Sequence, residues 1–342
     1  MLNKKSLSKY IICIICGVLS TFSLEPYGYL PLMVFFVLGI YIVLKSNNKV
    51  QVFFLGMSFG FGWFFSGLYW IGSAFLIKSL MFQIILPFAI ILLPIFLGFL
   101  WGFAFFISLR LSSIFGNRYV WLIICLSLIE LLRGYVLKFP WLMPGYIVSS
   151  NLYMLQSFSF VGAYSMNTVV ISLMIIPLLL KTYKGMLYQT TIFLFVPIVI
   201  LFYLSFNKFN NKIDLKYKKD YLITIVQPNI SQKQKWDREL FKRHLQKLKE
   251  LSIYNHKIPI NKKRLIIWPE TAFAGVYPRD EKLLVELVKK VINKDRNVNL
   301  FLGLIRKENK KIYNSSILFN SSLEIEKVYD KNFLVPLGEY NP

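Results

Sequence analysis

The sequence predicts a polytopic α-helical membrane bundle followed by an α/β domain. Three observations carry that reading. Hydrophobic residues make up 56% of the 342-residue chain, far beyond the share a soluble core needs. The charges are unevenly divided: residues 1–206 hold only 12 of the 40 Lys and Arg and 2 of the 17 Asp and Glu, namely Glu25 and Glu130. Residues 207–342 therefore hold 28 basic and 15 acidic residues, and there strand-length apolar runs alternate with amphipathic stripes.

Within residues 1–206, charges and turns separate seven apolar stretches: 8–24, 27–44, 51–76, 83–109, 119–136, 156–180 and 190–206. A bilayer core takes about 20 helical residues to cross, so the block reads as about seven transmembrane helices. The loops on one side carry nine basic residues, Lys4, Lys5, Lys9, Lys45, Lys49, Arg110, Arg118, Lys181 and Lys184, against Lys78, Arg133 and Lys138 on the other. Cytoplasmic loops concentrate Lys and Arg. That bias places the N-terminus in the cytoplasm, and seven crossings deliver residue 207 to the outer face. The first stretch reads as an uncleaved anchor, since further spans follow it.

Two polar features interrupt the block. Glu130 and Arg133 are three apart and share a helix face, which suits an ion pair at membrane depth. Close behind come Phe139-Pro140-Trp141 and Tyr146, aromatic residues of the kind that anchor at a membrane interface. The pair reads either as a structural tie at a helix end or as part of a lipid-facing cleft. The three cysteines, Cys13, Cys16 and Cys125, all lie in apolar stretches. The polar block has none, so it has no disulfide framework.

In the polar block, residues 221–229 read as a buried strand broken by Pro228. A helix is expected over about 233–253, with Trp236, Leu240, Leu245, Leu248 and Leu251 roughly on one stripe. A strand over 265–269 ends at Glu270. A second helix covers about 280–294, with Leu283, Leu284, Leu287, Val288 and Val291 apolar. Strands follow at 299–305, 313–320 and 325–330. This order indicates an α/β domain with helices on one face of a mixed sheet. Ile266-Ile267-Trp268-Pro269-Glu270 delivers an acid to the tip of an apolar strand, and Lys331 follows about sixty residues later. A buried glutamate raised in pKa beside a lysine is a base held next to a charge stabiliser, as acyl transfer needs.

These residues carry a family resemblance. Trp268-Pro269-Glu270-Thr271, Gly303 in its strand, Tyr313-Asn314-Ser315 and Tyr329-Asp330-Lys331 resemble the nitrilase superfamily, whose domain is an α-β-β-α sandwich. The seven preceding stretches, Phe139-Pro140-Trp141, Gln227-Pro228-Asn229-Ile230 with Lys235-Trp236, and Leu334-Val335-Pro336-Leu337-Gly338-Glu339-Tyr340 resemble more narrowly the apolipoprotein N-acyltransferase family. The resemblance runs through the whole chain, so residues 207–342 are expected to be the N-terminal portion of a nitrilase-like domain.

The resemblance implies a Glu–Lys–Cys triad. Glu270 would be the general base and Lys331 the cation that steadies the oxyanion. Glu339 would be a second glutamate supporting them, and Trp236 a substrate-binding residue on a loop near the lipid entrance. It implies a phospholipid acyl donor, a diacylated apolipoprotein acceptor, contact with membrane lipid, and no metal or other cofactor. It places the protein in the bacterial inner membrane, multi-pass, with its C-terminal domain periplasmic. The family's cysteine lies beyond the Gly338-Glu339-Tyr340 segment, so the chain is expected to stop before it and to be inactive alone.

Two other readings remain open on the residues. One is an inactive binding remnant for lipid or lipoprotein; the other is a membrane-tethered nitrilase-type amidase. Nucleic-acid binding, which the +23 charge suggests, lacks any recognition motif.

Overall fold

The computed structural model describes residues 4–76, 80–182, 187–211, 221–253, 263–292 and 297–334. The chain divides into two compact units, Met1–Ile213 and Asp214–Pro342.

The first unit is helical. Its helices are α1 (Lys4–Thr21), α2 (Val34–Leu44), α3 (Lys49–Leu68), the short α4 (Ser73–Leu76), α5 (Leu80–Phe115), α6 (Arg118–Tyr135), the short α7 (Leu152–Leu155), α8 (Phe158–Thr182) and α9 (Leu187–Asn210). Each of the seven apolar stretches thus falls on a helix. Among the described residues three segments are long and apolar enough to cross a membrane: Lys49–Gly72, Leu86–Phe115 and Phe158–Leu179. Leu7–Thr21, Leu30–Leu44 and Val196–Asn210 are shorter apolar helices.

Helix α3 packs between α1 and α5, and glycine sets how closely. A Cβ on Gly17 would stand 2.2 Å from the Phe59 carbonyl oxygen, and one on Gly62 would stand 2.1 Å from that of Ile14. Small residues let helices meet backbone to backbone where lipid gives no hydrophobic drive for association. Phe36, Phe59, Phe64 and Trp63 surround Trp101 with ring centroids 5.2–5.9 Å from it.

The predicted Glu130–Arg133 pair forms, with both side chains fully buried. Trp101 Nε1 donates to Glu130 Oε1 at 2.8 Å. Arg133 Nη1 donates to the carbonyls of Phe139 and Trp141, each at 2.7 Å, and the guanidinium stacks over Phe64. A buried ion pair persists where further hydrogen bonds offset its desolvation; Arg133 makes them through Nη1, while its Nε is buried without a partner. Here those bonds fasten the Phe139-Pro140-Trp141 segment to α6, so the pair is a structural tie.

The second unit is a six-stranded mixed sheet, β1 (Tyr221–Ile225), β2 (Lys263–Ile267), β3 (Phe273–Tyr277), β4 (Val298–Glu308), β5 (Lys311–Phe319) and β6 (Ile325–Asp330), with α10 (Gln232–Lys235), α11 (Phe241–Ile253) and α12 (Glu281–Ile292). The order is β1-β2-β4-β5-β6, with β3 also paired to β4. The first pairings and that of β3 are parallel, and β4-β5-β6 are antiparallel. Leu245 and Leu248 of α11, Leu284, Leu287, Val288 and Val291 of α12, and Ile266, Leu300, Leu302 and Leu304 of the sheet form one core.

Four expectations need correction. The 221–229 segment is an edge strand, not a buried one: Ile223 and Ile225 are 60% and 78% exposed. The helix over 233–253 is two helices, because the chain turns between Trp236 and Leu240, where the Asp237 carboxylate accepts from the Glu239 N–H. Trp236 is accordingly outside the core, at 47% exposure. Leu283 does not join the apolar face of α12. Strand β3 was not foreseen, because Phe273–Tyr277 carries Ala274 and Gly275, which weaken strand propensity.

Helices cover one face of this sheet, while Tyr221, Ile223 and Ile225 stay exposed on the other. Several hundred Å² of uncovered apolar sheet, at ~25 cal/mol per Å², forgoes on the order of 10 kcal/mol, a domain's whole stability. Residues 207–342 expressed alone should therefore be insoluble or quickly degraded, while residues 1–206 still insert. A soluble fragment with cooperative unfolding would contradict this.

Candidate active site

Glu270 sits in a turn beyond β2. The strand ends at Ile267, and the Trp268 N–H carries its register on to the Phe301 carbonyl at 2.8 Å. Trp268 is buried, with Nε1 donating to Ser252 Oγ of α11 at 2.8 Å. From that anchor the turn crosses β4 at Gly303. A Cβ there would lie 2.6 Å from the Thr271 nitrogen and 2.8 Å from the Glu270 Cα and the Pro269 oxygen. Thr271 adopts φ +46°, a region that a β-branched residue enters only when its surroundings hold it.

Lys235, the last residue of α10, supplies part of that hold. Its Nζ donates to the Glu270 carbonyl at 3.1 Å and to Thr271 Oγ1. Burial pushes its pKa below the ordinary lysine value, and the Glu270 charge opposes the shift.

Lys331 follows β6, and its Nζ stands 3.3 Å from Glu270 Oε1. Its backbone N–H donates to the Asn314 carbonyl at 2.9 Å, and Asn314 Nδ2 donates to the same Glu270 Oε1. The structure thus brings the predicted glutamate and lysine together and adds an asparagine that was quoted in a motif without a role. The antiparallel β5–β6 register, which pairs Ser315 with Asp330, makes Asn314 and Lys331 neighbours. Nothing in either segment alone signals that.

The expected burial of the base is not met. The Glu270 side chain is 62% exposed and that of Lys331 34%, because the turn lifts the carboxylate off the strand end. Trp236 adjoins Lys235 at the end of α10, and Glu339 lies outside the described residues. No three His, Cys, Asp or Glu gather as metal ligands among the described residues. Cys13, Cys16 and Cys125 are buried in the first unit, and the sequence of residues 214–342 has no cysteine.

Asp330 fixes the lysine's approach. It accepts from Arg306 Nη2 at 2.6 Å, Arg306 Nε at 3.2 Å and Ser315 Oγ at 2.6 Å. The Arg306 bond, with Ser315 assisting, holds its carboxyl below the ordinary aspartate value of 3.8. A carboxyl depressed by folding stabilises above its unfolded pKa, and the contribution is lost as pH falls through the folded one. The thermal midpoint of Asp330→Asn should thus lie below that of the wild-type chain at pH 7, and the gap should close as pH drops below 3.8. A gap independent of pH would refute the clamp.

Comparison with known proteins follows the two-unit division. Residues 16–176 match the apolipoprotein N-acyltransferase N-terminal domain, and residues 222–342 match the carbon-nitrogen hydrolase domain. The chain is similar to an apolipoprotein N-acyltransferase of Rickettsia prowazekii, 31% identical over 97% of this chain and 66% of that protein. It is also similar to one of Rickettsia typhi, 31% identical over 97% and 66%, and to one of Agrobacterium fabrum, 29% identical over 98% and 66%. It spans just under two thirds of the length of these relatives.

Proposed function

The chain belongs to the apolipoprotein N-acyltransferase family, and on that premise we propose that it takes part in phospholipid-dependent N-acylation of the diacylglyceryl-cysteine at the N-terminus of bacterial lipoproteins. The observation that carries this reading is the Glu270–Lys331–Asn314 constellation in a carbon-nitrogen hydrolase domain joined to a membrane unit. A phospholipid supplies the acyl chain and a diacylated apolipoprotein accepts it. An amidase or a binding remnant has no feature here that favours it.

The chemistry divides into two transfers of the covalent type. In the first, a thiolate attacks the phospholipid's ester carbonyl; a thioester forms and the glycerol oxygen leaves with a proton. In the second, the cysteine α-amine attacks the thioester; an amide forms and the thiol is released. Glu270 takes the proton from the thiol and later from the amine. Lys331, whose ammonium the β5–β6 hairpin holds beside that carboxylate, stabilises the oxyanion of each tetrahedral intermediate. The exposed side of Glu270 is the side from which lipid approaches and displaces water, which strengthens both effects. Trp236 and Glu339 keep the roles the resemblance gives them, substrate contact and support of the base. The thiol is not among residues 214–342, and the three cysteines of the membrane unit are not candidates, since that unit is the bilayer-embedded part.

Purified residues 1–342 should accordingly form no acyl-thioester from phospholipid, by mass spectrometry, and should not acylate a diacylglyceryl-cysteine peptide. In any form of the protein that does turn over, Glu270→Gln and Lys331→Ala should each lower kcat by about 10²-fold or more. Full activity in either variant removes that residue's role.

The protein is a membrane protein. The nine basic residues against three in alternate loops support seven spans in the inner membrane, a cytoplasmic N-terminus and a periplasmic second unit. A cysteine placed at Asn255 should react with a membrane-impermeant maleimide in cells whose inner membrane is intact. Reaction only after that membrane is breached would reverse the orientation.

A further inference from the structure

Strands β4 and β5 run on past the rest of the sheet. The last β4 residue paired to β3 is Arg306, and the last β5 residue paired to β6 is Ser315. Beyond the Arg306–Tyr313 pair, Lys307, Glu308, Lys311 and Ile312 pair only with each other among the described residues, around the turn Asn309-Lys310. Three residues on each strand extend the hairpin by about 10 Å, at ~3.3 Å per residue. This finger leaves the sheet at the end where Glu270, Asn314 and Lys331 meet.

Its charge is one-sided. Lys307, Lys310 and Lys311 are exposed, and no ion pair engages them among the described residues. The finger's one acid, Glu308, is taken by Arg306 Nη1 at 2.7 Å. Asn309 and Lys310 have φ +47° and +65°. A hairpin turn with both central residues at positive φ favours Asn-Gly, so Lys310 carries backbone strain that glycine would not. That strain sets an ammonium at the apex. Ile312, opposite Lys307, is 67% exposed, and strand alternation puts both on the face of Gly303 and Asn314.

An exposed isoleucine among three ammonium groups narrows the partner. A nucleic-acid backbone would answer the lysines and leave Ile312 in water. The surface of an anionic bilayer answers both, with phosphates for the lysines and apolar depth just beneath for the isoleucine. The first unit already tethers the chain to a bilayer, which raises the effective concentration of that surface.

We propose that the β4–β5 finger docks on anionic phospholipid headgroups, with Lys307, Lys310 and Lys311 pairing with phosphates and Ile312 entering the interface. The contact steadies the strands that carry Gly303 and Asn314. It needs the membrane unit and is independent of acyl transfer.

The experiment uses the 342-residue chain in nanodiscs of phosphatidylcholine, alone or with phosphatidylglycerol added. An environment-sensitive dye is attached at Ile312→Cys or, as a control, at Lys290→Cys on α12. The wild-type chain, whose cysteines are buried, is the labelling blank. With phosphatidylglycerol present, doxyl-labelled lipid should quench the dye at 312 and spare the dye at 290. Lys307→Gln, Lys310→Gln and Lys311→Gln should each lower the docked-to-free ratio about fivefold. The corresponding arginine variants should keep it, and added salt should mimic the loss. No lipid quenching at 312 overturns the proposal, including the case of a blue-shifted dye buried against protein. Equal quenching without phosphatidylglycerol, or with all three glutamines in place, shows an apolar contact without headgroup recognition and overturns it too. Quenching at 290 as strong as at 312 means that the unit lies on lipid indiscriminately, and removes the finger's role.

Discussion

The Pro269–Thr271 turn can lie on the sheet because residue 303 has no side chain. Any Cβ there would stand 2.6–2.8 Å from the turn's backbone, inside van der Waals contact, and the neighbours are main-chain atoms that cannot swing aside. Lifting the turn would separate Glu270 from Lys331 and Asn314, which are fixed to the β5–β6 hairpin, and would pull Thr271 from Lys235. The meeting of acid and cation therefore depends on how close one loop passes to one strand, and Lys235 then holds that loop from the opposite side.

Two carboxylate–cation pairs in this chain show what surroundings do to the same chemistry. Glu130 and Arg133 are fully buried, and every additional bond found on them ties down backbone or an indole. A pair desolvated to that degree is stable only when complete, so it serves as a fastening. Glu270 and Lys331 are partly in water and 3.3 Å apart, an attraction that solvent weakens. Such a pair can exchange partners and protons at little cost, as the catalytic role proposed for it requires and a structural role does not.

Much of this was legible in the sequence, for identifiable reasons. The membrane unit showed itself because apolar length and charge placement answer to one strong constraint, the bilayer. Strands β2, β4, β5 and β6 and helix α12 followed from hydrophobic period. The break between α10 and α11 was missed because a local turn, closed by the Asp237 carboxylate on the Glu239 N–H, competed with an apolar stripe that looked continuous. β1 was misjudged because an apolar run is the same whether one face or both are covered. At the site, Glu270 and Lys331 were legible as a pair, whereas Asn314 and Lys235 were not. Their relevance comes from strand register and from the turn after β2, which Lys235 of α10 holds. Neither is written in local pattern.

The site's exposure fits the way its parts are anchored. Each functional side chain hangs from backbone fixed by something other than the pair itself: Lys331 by the Asn314 carbonyl and the Asp330–Arg306–Ser315 clamp, Glu270 by Trp268, Gly303 and Lys235. The proposed base, so mounted, needs no burial to hold its direction, and its open face leaves room for the proposed lipid donor. Water exclusion, which would strengthen the proposed stabilisation of an oxyanion by Lys331, can then be left to the substrate. On the proposed function, rigidity belongs to the protein and the low-dielectric surroundings arrive with the acyl chain.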